Sequence, residues 1–196
     1  MRRGRSKPVM TAPLSRRRFV STAALAVAGL ALGCSRSGDA APGRPRQVTL
    51  AEFDDNGRRL RTAVVAKVVK TDAQWRAQLP PLAYRVTRHE GTERAYTGAL
   101  LDEHRAGVYR CACCGTALYD AAAKFESGTG WPSFWRPIAP QNVVESRDFL
   151  IGVPRTAISC TRCDAHLGHV FDDGPPPTGL RYCMNSVALR FAPARA

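Results

Sequence analysis

The sequence has few lysines beyond its first residues and no dense basic cluster after them. Of its 29 Lys and Arg residues, seven lie within residues 1–34, where no Asp or Glu occurs. Beyond that segment there are only three lysines, Lys67, Lys70 and Lys124, and the arginines are scattered with acids between them. A nucleic-acid-binding surface needs clustered basic residues with interleaved aromatic ones. The charge of +13 therefore indicates a solvated basic surface, and no nucleic-acid partner is expected.

The sequence also lacks a long hydrophobic run. Its longest one, FVSTAALAVAGLALG, has 15 residues, whereas a membrane-spanning helix needs about 20. That length suits the core of an export signal, and the arginines of SRRRFV before it match the twin-arginine export pattern. We expect residues 1–34 to be a signal segment and residues 35–47 a flexible tether. The protein is then expected to be bacterial and periplasmic, or anchored to a membrane outside the cytoplasm.

The apolar run ends at LALGC, where Cys34 follows small residues. This sequence resembles a lipoprotein cleavage box with Cys34 as the lipidated residue, although Ala31 stands where leucine is usual. Ordinary signal cleavage nearby is the alternative. Because no second apolar run follows, we expect at most a lipid anchor to the membrane and no membrane span.

Local patterns after the tether predict a mainly β fold. VTLAEFDDNGRRLRTAVVAKVV contains two β-branched stretches around Asp-Asn-Gly, which is typical of a hairpin. TDAQWRAQL predicts a short amphipathic helix capped by Thr71 and Asp72 and ended by Pro80 and Pro81. From Gly107 onwards, short runs such as VYRC, TALYD, FLIGV, TAIS and SVALRF alternate with Gly, Pro and Asp. We expect antiparallel sheets with a few short N-terminal helices.

Two Cys-x-x-Cys pairs indicate a structural zinc site. Cys111 and Cys114 form one pair, and Cys160 and Cys163 form the other. Four thiolates are the ligand set of a tetrahedral structural zinc site. Disulfides are the alternative outside the cytoplasm, but twin-arginine export moves folded proteins, so zinc can be loaded beforehand. Cys113 is a spare thiol, an alternative ligand or an incidental small residue.

Three further stretches carry reactive side chains: SGTGWPSFW, HLGHVFDDG and LRYCMNS. If LRYCMNS is a strand, its alternation places Arg181, Cys183 and Asn185 on one face. A positive charge beside a thiol favours the thiolate, and a nearby histidine can move a proton. This arrangement favours Cys183 as a reacting thiol.

Each stretch also has a plainer interpretation when it is taken alone. Cys183 can be a buried strand residue, since free cysteine is often buried. His166 and His169 can be core histidines, or ligands of a second metal with Asp172 and Asp173. The Trp131–Pro132 pair can be a packing corner.

The motifs taken together resemble one family. WRAQL…YRVTRHEGTERAYTG, YRCACCG, GWPSFW, CTRCDAHLGHVFDDGP and LRYCMNSVALRF occur in the order found in type B methionine sulfoxide reductases, which reduce the R epimer of methionine sulfoxide. The resemblance covers residues 71–191, within a predicted catalytic domain of residues 48–196. It implies a mainly antiparallel β fold, one structural zinc ion and no organic cofactor.

The resemblance also implies roles for single residues. Cys183 would attack the sulfoxide sulfur and become a sulfenic acid, a state that thiols can reduce. His169 and His166 would deliver the proton to the departing oxygen, with His169 as the acid. Asp172 and Asp173 would orient a histidine or an arginine, or would simply form a turn.

The remaining candidate residues line the implied substrate site. Arg181 and Asn185 would hold its polar side and help to maintain the thiolate. Trp131, together with Phe171 or a neighbouring aromatic residue, would form the apolar pocket for the methyl group. The expected substrates are oxidised proteins that contain methionine-R-sulfoxide.

One position departs from the family pattern. Many members have a second, resolving cysteine in SGCGWPSF, where this sequence has Thr129. We therefore expect an external thiol, such as a thioredoxin-like protein, to reduce oxidised Cys183. The alternatives are another kind of thiol oxidoreductase or a zinc-dependent binding module.

Overall fold

A computed structural model describes residues 46–148 and 154–195 of the chain. The predicted signal segment over residues 1–34 lies outside the described residues, as do most of the tether and the FLIGV run at 149–153. Within the described part, no helix has the length and apolar content needed to cross a membrane.

The described residues form two α-helices among eleven strands, so the predicted mainly β fold is confirmed. In chain order the elements are β1 Gln47–Phe53, β2 Arg59–Ala66, α1 Asp72–Gln78, α2 Pro81–Arg88, β3 Gly107–Cys111, β4 Ala117–Asp120, β5 Lys124–Phe125, β6 Ser133–Phe134, β7 Val143–Asp148, β8 Arg155–Cys160, β9 His166–Phe171, β10 Arg181–Met184 and β11 Leu189–Pro193. Short 3₁₀ turns cover Ala121–Ala123, Pro140–Asn142 and Ser186–Ala188.

The strands pair antiparallel in three sheets. The largest has the order β5-β6-β10-β9-β8-β7, the second has β11-β3-β4, and β1 pairs with β2 alone. Strand β10, which carries Cys183, therefore lies between β6 and β9 in the middle of the largest sheet. A strand bonded on both sides is held firmly, which suits an element that presents a reacting side chain.

The predicted hairpin forms as expected and is fastened by a residue that the sequence pattern did not single out. Strands β1 and β2 pair around the Asp-Asn-Gly turn. Asn142 is fully buried. Its Oδ1 accepts a hydrogen bond from the Ala51 backbone N–H at 2.9 Å. Its Nδ2 donates to the Ala51 and Ala117 carbonyls at 2.8 Å each. One amide thus joins the hairpin to β4.

The predicted helix α1 is also confirmed, but the prolines after it do more than end it. The Thr71 hydroxyl accepts from the Gln74 backbone N–H, and the Gln74 side chain accepts from Thr71, which forms a capping box. Helix α1 ends before Leu79, and Pro81 then begins a second helix, α2. Proline suits a first helical position because the N–H it lacks would be unpaired there.

An aromatic cluster fills the core beside β10. The rings of Tyr119 and Phe134 stack with centroids 4.4 Å apart, and Tyr109 meets Phe134 edge-on at 4.9 Å. The Tyr119 hydroxyl donates to the Met184 sulfur at 3.0 Å. All four side chains are fully buried. This packing fixes the residue that directly follows Cys183.

Candidate active site

The four cysteines of the two pairs come together and can hold a metal ion. All four sulfurs lie within 4.8 Å of one another, with Cys111 and Cys163 at 3.6 Å and Cys114 and Cys160 at 3.6 Å. Zinc–thiolate bonds of about 2.3 Å in a tetrahedron place sulfurs about 3.8 Å apart. The donor set and its spacing therefore fit the predicted structural site.

Both pairs use the same turn. The Cys111 carbonyl accepts from the Gly115 N–H, and the Cys160 carbonyl accepts from the Asp164 N–H, at 2.9 Å each. Gly115 and Asp164 both have a positive φ, +79° and +56°. Glycine adopts that conformation without strain, and aspartate is among the few other residues that tolerate it. Lys67 binds the Asp164 carboxylate at 2.6 Å.

Cys113 lies beside the metal site without joining it. Its buried side chain contacts Cys111, Cys163 and the Thr87 hydroxyl of α2. Among the described residues, the cysteine cluster that could hold a metal includes the four paired cysteines and not Cys113. Of the roles left open by the sequence, this position argues against an alternative ligand and agrees best with an incidental small residue.

Cys183 lies on the central strand β10, opposite His169 of β9 and Ser133 of β6. Its backbone is very close to Gly168, where an added Cβ would lie 2.0 Å from the Cys183 carbonyl oxygen. Only glycine fits there. Burial raises the pKa of the Cys183 thiol, and the positive charge of Arg181 opposes that rise.

Arg181 is anchored by a carboxylate and an aromatic ring. Its Nε and one terminal nitrogen donate to the two oxygens of Asp173, each at 2.8 Å. The guanidinium also lies 4.4 Å from the centre of the Phe171 ring. Because of these hydrogen bonds, the pKa of Asp173 is lowered and that of Arg181 is raised. The structure thus shows Asp173 orienting an arginine, one of the roles that the sequence left open.

The two histidines face each other on β9. Both are buried, and their ring centroids are 5.2 Å apart. Residues three apart on a regular strand point to opposite faces. The pairing of β9 with β8 shifts at this point, because Ile158 pairs with Gly168 while Ser159 pairs with His166. This bulge brings His166 to the side of His169.

The second-metal interpretation of the histidines finds no support in the described part of the chain. The cluster that could hold an ion there consists of the four cysteines. Asp173 binds Arg181 instead, and Asp172 is exposed. Within the described residues, the two histidines and the two aspartates therefore do not form a metal-binding group.

Asn185 follows β10 directly and is not part of it, since the strand ends at Met184. Its Oδ1 accepts from the Glu93 backbone N–H at 2.9 Å, and its Nδ2 donates to the Leu167 carbonyl at 3.1 Å. The predicted strand row of Arg181, Cys183 and Asn185 is therefore one residue too long. Asn185 still lies beside Cys183 in the same pocket.

A pocket of about 120 Å³ opens above Cys183. Its lining is mostly apolar, and the residues around it are Thr92, Trp131, Arg155, Gly168, His169, Phe171, Cys183 and Asn185. The Trp131 indole N–H donates to the Glu93 carbonyl at 3.1 Å, which sets the orientation of the ring. The structure thus brings five of the seven predicted site residues outside the metal cluster to one cavity, with Arg181 and His166 adjoining them.

Comparison with known proteins gives the family. The SelR domain model matches residues 79–193, more than half of the chain. The chain belongs to the SelR-domain family.

Three similar relatives are proteins named peptide methionine sulfoxide reductase MsrB. The protein from Thiobacillus denitrificans is 59% identical over 124 residues, which cover 63% of this chain and 94% of the relative. Those from Herminiimonas arsenicoxydans and Pseudomonas putida are each 56% identical, over 125 and 127 residues. The matches cover 64% and 65% of this chain, and 91% and 96% of the two relatives.

Every predicted site residue lies inside the matched SelR domain. The resemblance read from the motifs is therefore confirmed at the level of the family. The roles of individual side chains stay predictions. Glu93, Arg155 and Gly168 were missed, because single acidic, basic and glycine residues carry no spacing signal in the sequence.

The position where many family members carry a resolving cysteine lies next to the Cys183 sulfur. The Thr129 hydroxyl is 3.9 Å from Cys183 Sγ. Ser127 lies 2.9 Å from the Thr129 hydroxyl and 2.8 Å from that of Ser133. In this chain, hydroxyl groups therefore lie beside the Cys183 thiol. A cysteine at position 129 would be close enough to react with it.

Proposed function

We propose that this protein reduces methionine-R-sulfoxide in oxidised proteins, with Cys183 as the reacting thiol. The observation that carries the proposal is one half-buried thiol in a small, mostly apolar pocket, paired across strands with His169. The relatives named as peptide methionine sulfoxide reductases support the reaction class.

The pocket suits a methionine sulfoxide side chain. Trp131 and Phe171 provide an apolar wall for the methyl group, while His169 and Asn185 provide polar groups for the sulfoxide oxygen. The sulfoxide sulfur carries a methyl group, the methylene of its side chain and an oxygen. If the methyl group and the oxygen are both fixed, the side chain can leave through the pocket mouth in one epimer only. We therefore propose selectivity for one epimer, and the family resemblance assigns the R form.

The first step transfers oxygen to Cys183. The Cys183 thiolate attacks the sulfoxide sulfur and forms an S–S bond to it, while His169 protonates the sulfoxide oxygen. The hydroxyl then passes from the methionine sulfur to the Cys183 sulfur as the S–O and S–S bonds to the methionine sulfur break. Methionine sulfur gains two electrons, Cys183 loses two, and the products are methionine and a sulfenic acid. The nearby charge of Arg181 favours the attacking thiolate.

The second step restores Cys183 with an external thiol. A thiolate attacks the sulfenic sulfur, water leaves and a mixed disulfide forms. A second external thiol then releases Cys183 and forms a disulfide with the first. The hydroxyl of Thr129 beside Cys183 supports this one-cysteine cycle, because a hydroxyl cannot form a disulfide. A thioredoxin-like protein is the proposed donor.

We also propose that the ion held by the four cysteines is zinc. Four thiolates arranged for a closed tetrahedral site are typical of structural zinc. When bound, the ion supplies no chemistry at Cys183, since its ligands belong to the two Cys-x-x-Cys pairs. Its proposed role is to hold those two pairs together.

We further propose that residues 1–34 export the protein, with Cys34 as a lipid anchor. The support is the SRRRFV sequence followed by an uncharged run of 15 residues. Replacing Arg16 and Arg17 together by lysine should retain the protein in the cytoplasm, as measured by cell fractionation. The single change Arg18→Lys is the control, and equal export of all three proteins would contradict the proposal.

An assay with separate epimers tests the function. A peptide with R-methionine sulfoxide and one with the S form are each incubated with the protein and a dithiol donor. The R peptide should be reduced and the S peptide left unchanged. Equal reduction of both, or faster turnover of peroxide than of either peptide, would favour a different thiol oxidoreductase.

A further inference from the structure

Glu93 is a buried carboxylate that the proposed reaction steps do not use. Only 2% of its surface is exposed. Its Oε1 accepts from the Ser186 backbone N–H at 2.5 Å, and its Oε2 accepts from the Val187 N–H at 3.1 Å. A carboxylate is costly to bury unless it is well bonded. Glu93 thus fastens the 3₁₀ turn that follows β10 and Asn185.

The backbone of the same residue contacts two walls of the pocket. The Glu93 N–H donates to Asn185 Oδ1 at 2.9 Å, and the Glu93 carbonyl accepts from the Trp131 indole N–H at 3.1 Å. Trp131 and Asn185 come from separate parts of the chain, and Glu93 is bonded to both. Any shift of this residue moves the apolar and the polar wall together.

These bonds also determine which way the Asn185 amide points. The Glu93 N–H requires the amide oxygen, and the Leu167 carbonyl, at 3.1 Å, requires the amide nitrogen. An amide nitrogen carries two N–H donors, and Leu167 takes one of them. Because Asn185 lines the pocket, its second donor is the one that would meet the sulfoxide oxygen of the substrate.

The space around the Glu93 carboxylate leaves it little freedom. A Cβ at Gly98 would lie 2.7 Å from Glu93 Oε1 and 2.4 Å from Ser186 Cβ. The Ser186 hydroxyl in turn accepts from the Leu100 N–H at 2.6 Å. The carboxylate is therefore held on one side by the turn and on the other by the 98–100 segment.

We propose that Glu93 is a positioning residue that holds the Trp131 indole and the Asn185 amide in the arrangement that accepts the sulfoxide. Its carboxylate fixes the turn after β10, and its backbone transmits that position to both pocket walls. Glu93 itself does not touch the substrate. The inference rests on the proposed function and adds to it a residue that determines how well the sulfoxide is oriented.

The change Glu93→Gln tests the inference, because one oxygen that accepts an N–H is replaced by an NH₂ donor facing another donor. Misplacing both walls should lower kcat/KM for the R-sulfoxide peptide about 100-fold. KM should rise because the displaced Trp131 ring holds the substrate less well. kcat should fall because the Asn185 amide no longer meets the sulfoxide oxygen. The Trp131 indole N–H resonance, assigned by its loss in Trp131→Phe, should move. Glu52→Gln, in the hairpin, is the matched control.

A merely structural role for Glu93 would lower the folded fraction and leave KM and the indole resonance of the folded protein unchanged. That result would overturn the inference. If Glu93→Gln does not fold, Glu93→Asp is used for the same measurements. Aspartate keeps the carboxylate, but its side chain is one methylene shorter. Wild-type kinetics and resonance in Glu93→Asp would also overturn it. If neither the wild-type protein nor Glu52→Gln reduces the R-sulfoxide, the proposed function is contradicted. The Trp131 indole resonance then still tests whether Glu93 positions the pocket walls.

Discussion

The Cys183 thiol is subject to two opposing influences. Burial raises its pKa, and the charge of Arg181 counteracts part of that rise. A raised pKa means that the thiolate appears only as the pH increases, so alkylation of Cys183 should rise with pH and reach half its maximum above the usual pH for a cysteine. Replacing Arg181 by glutamine should move that midpoint to a still higher pH, because the positive charge that lowers the pKa is lost. Each further rise of one pKa unit lowers the thiolate fraction at neutral pH about tenfold.

Mass spectrometry of the peptide that contains Cys183, after brief iodoacetamide treatment across a pH series, measures this profile. Arg59→Gln, an exposed position in the hairpin, serves as the control. An unchanged profile in Arg181→Gln would show that the guanidinium does not influence the thiol.

Thr129 offers a second prediction at the residue scale. Its hydroxyl is 3.9 Å from Cys183 Sγ, and a disulfide needs sulfurs about 2.05 Å apart, so a small loop movement closes the gap. In Thr129→Cys, the introduced thiol should form a disulfide with Cys183 after one turnover with the R-sulfoxide. Peptide mapping without reduction detects it. Thr62→Cys in the hairpin should give no such bond, and a free sulfenic acid in Thr129→Cys would contradict the proposed proximity.

Among the structural elements, strands β9 and β10 approach closely because Gly168 has no side chain. A Cβ at Gly168 would lie 2.0 Å from the Cys183 carbonyl oxygen, and both atoms belong to paired strands that cannot easily separate. Gly168→Ala should therefore destabilise the fold by about 1–3 kcal/mol and displace Cys183. Denaturant unfolding and kcat/KM of the folded protein measure the two effects.

Gly179→Ala is the comparison for that substitution, since a Cβ there meets no atom within 4 Å and only the positive φ of +70° opposes it. Its cost should be smaller, and its kcat/KM should be close to that of the wild type. A Gly168→Ala protein as active as Gly179→Ala would show that the strand contact does not position Cys183.

Elements with local signals could be predicted from the sequence. The Asp-Asn-Gly turn and the capping box of Thr71 and Gln74 are formed within a few residues, and both appear where expected. The bulge that brings His166 beside His169 depends on pairing with β8, and it could not be predicted from one strand. The two prolines follow the end of α1 as predicted, and Pro81 also begins α2, which the sequence pattern does not indicate.

Buried polar residues were predicted least well. Asn142 bonds to Ala51, 91 positions away, and the Glu93 carboxylate bonds to Ser186, 93 positions away, so no local pattern identifies them. The family motifs point to the proposed reacting residues because those residues occur in recognisable order. The residues that support them become visible only when distant segments meet.

For the molecule as a whole, the metal site joins two sheets. Cys111 ends β3 in the three-stranded sheet, and Cys160 ends β8 in the six-stranded sheet. Metal binding contributes roughly 10–16 kcal/mol in small zinc-dependent domains. Removing the ion with a strong chelator should therefore lower the melting temperature sharply or unfold the protein, and activity should be lost with the fold.

Elemental analysis and thermal unfolding of two variants check this prediction. Cys160→Ser should lose the metal, whereas Cys113→Ala should keep one zinc ion per chain, because Cys113 lies outside the four-cysteine cluster. A Cys160→Ser protein that melts like the wild type would show that the ion does not hold the sheets together.

A single-turnover experiment without any added thiol shows whether Cys183 takes the sulfoxide oxygen. The reduced protein is mixed with excess peptide containing R-methionine sulfoxide, and methionine formed and the mass of the Cys183 peptide are measured together. We expect one methionine per chain and one added oxygen on Cys183, with neither product in Cys183→Ser. Methionine formation that persists in Cys183→Ser would contradict this role of Cys183.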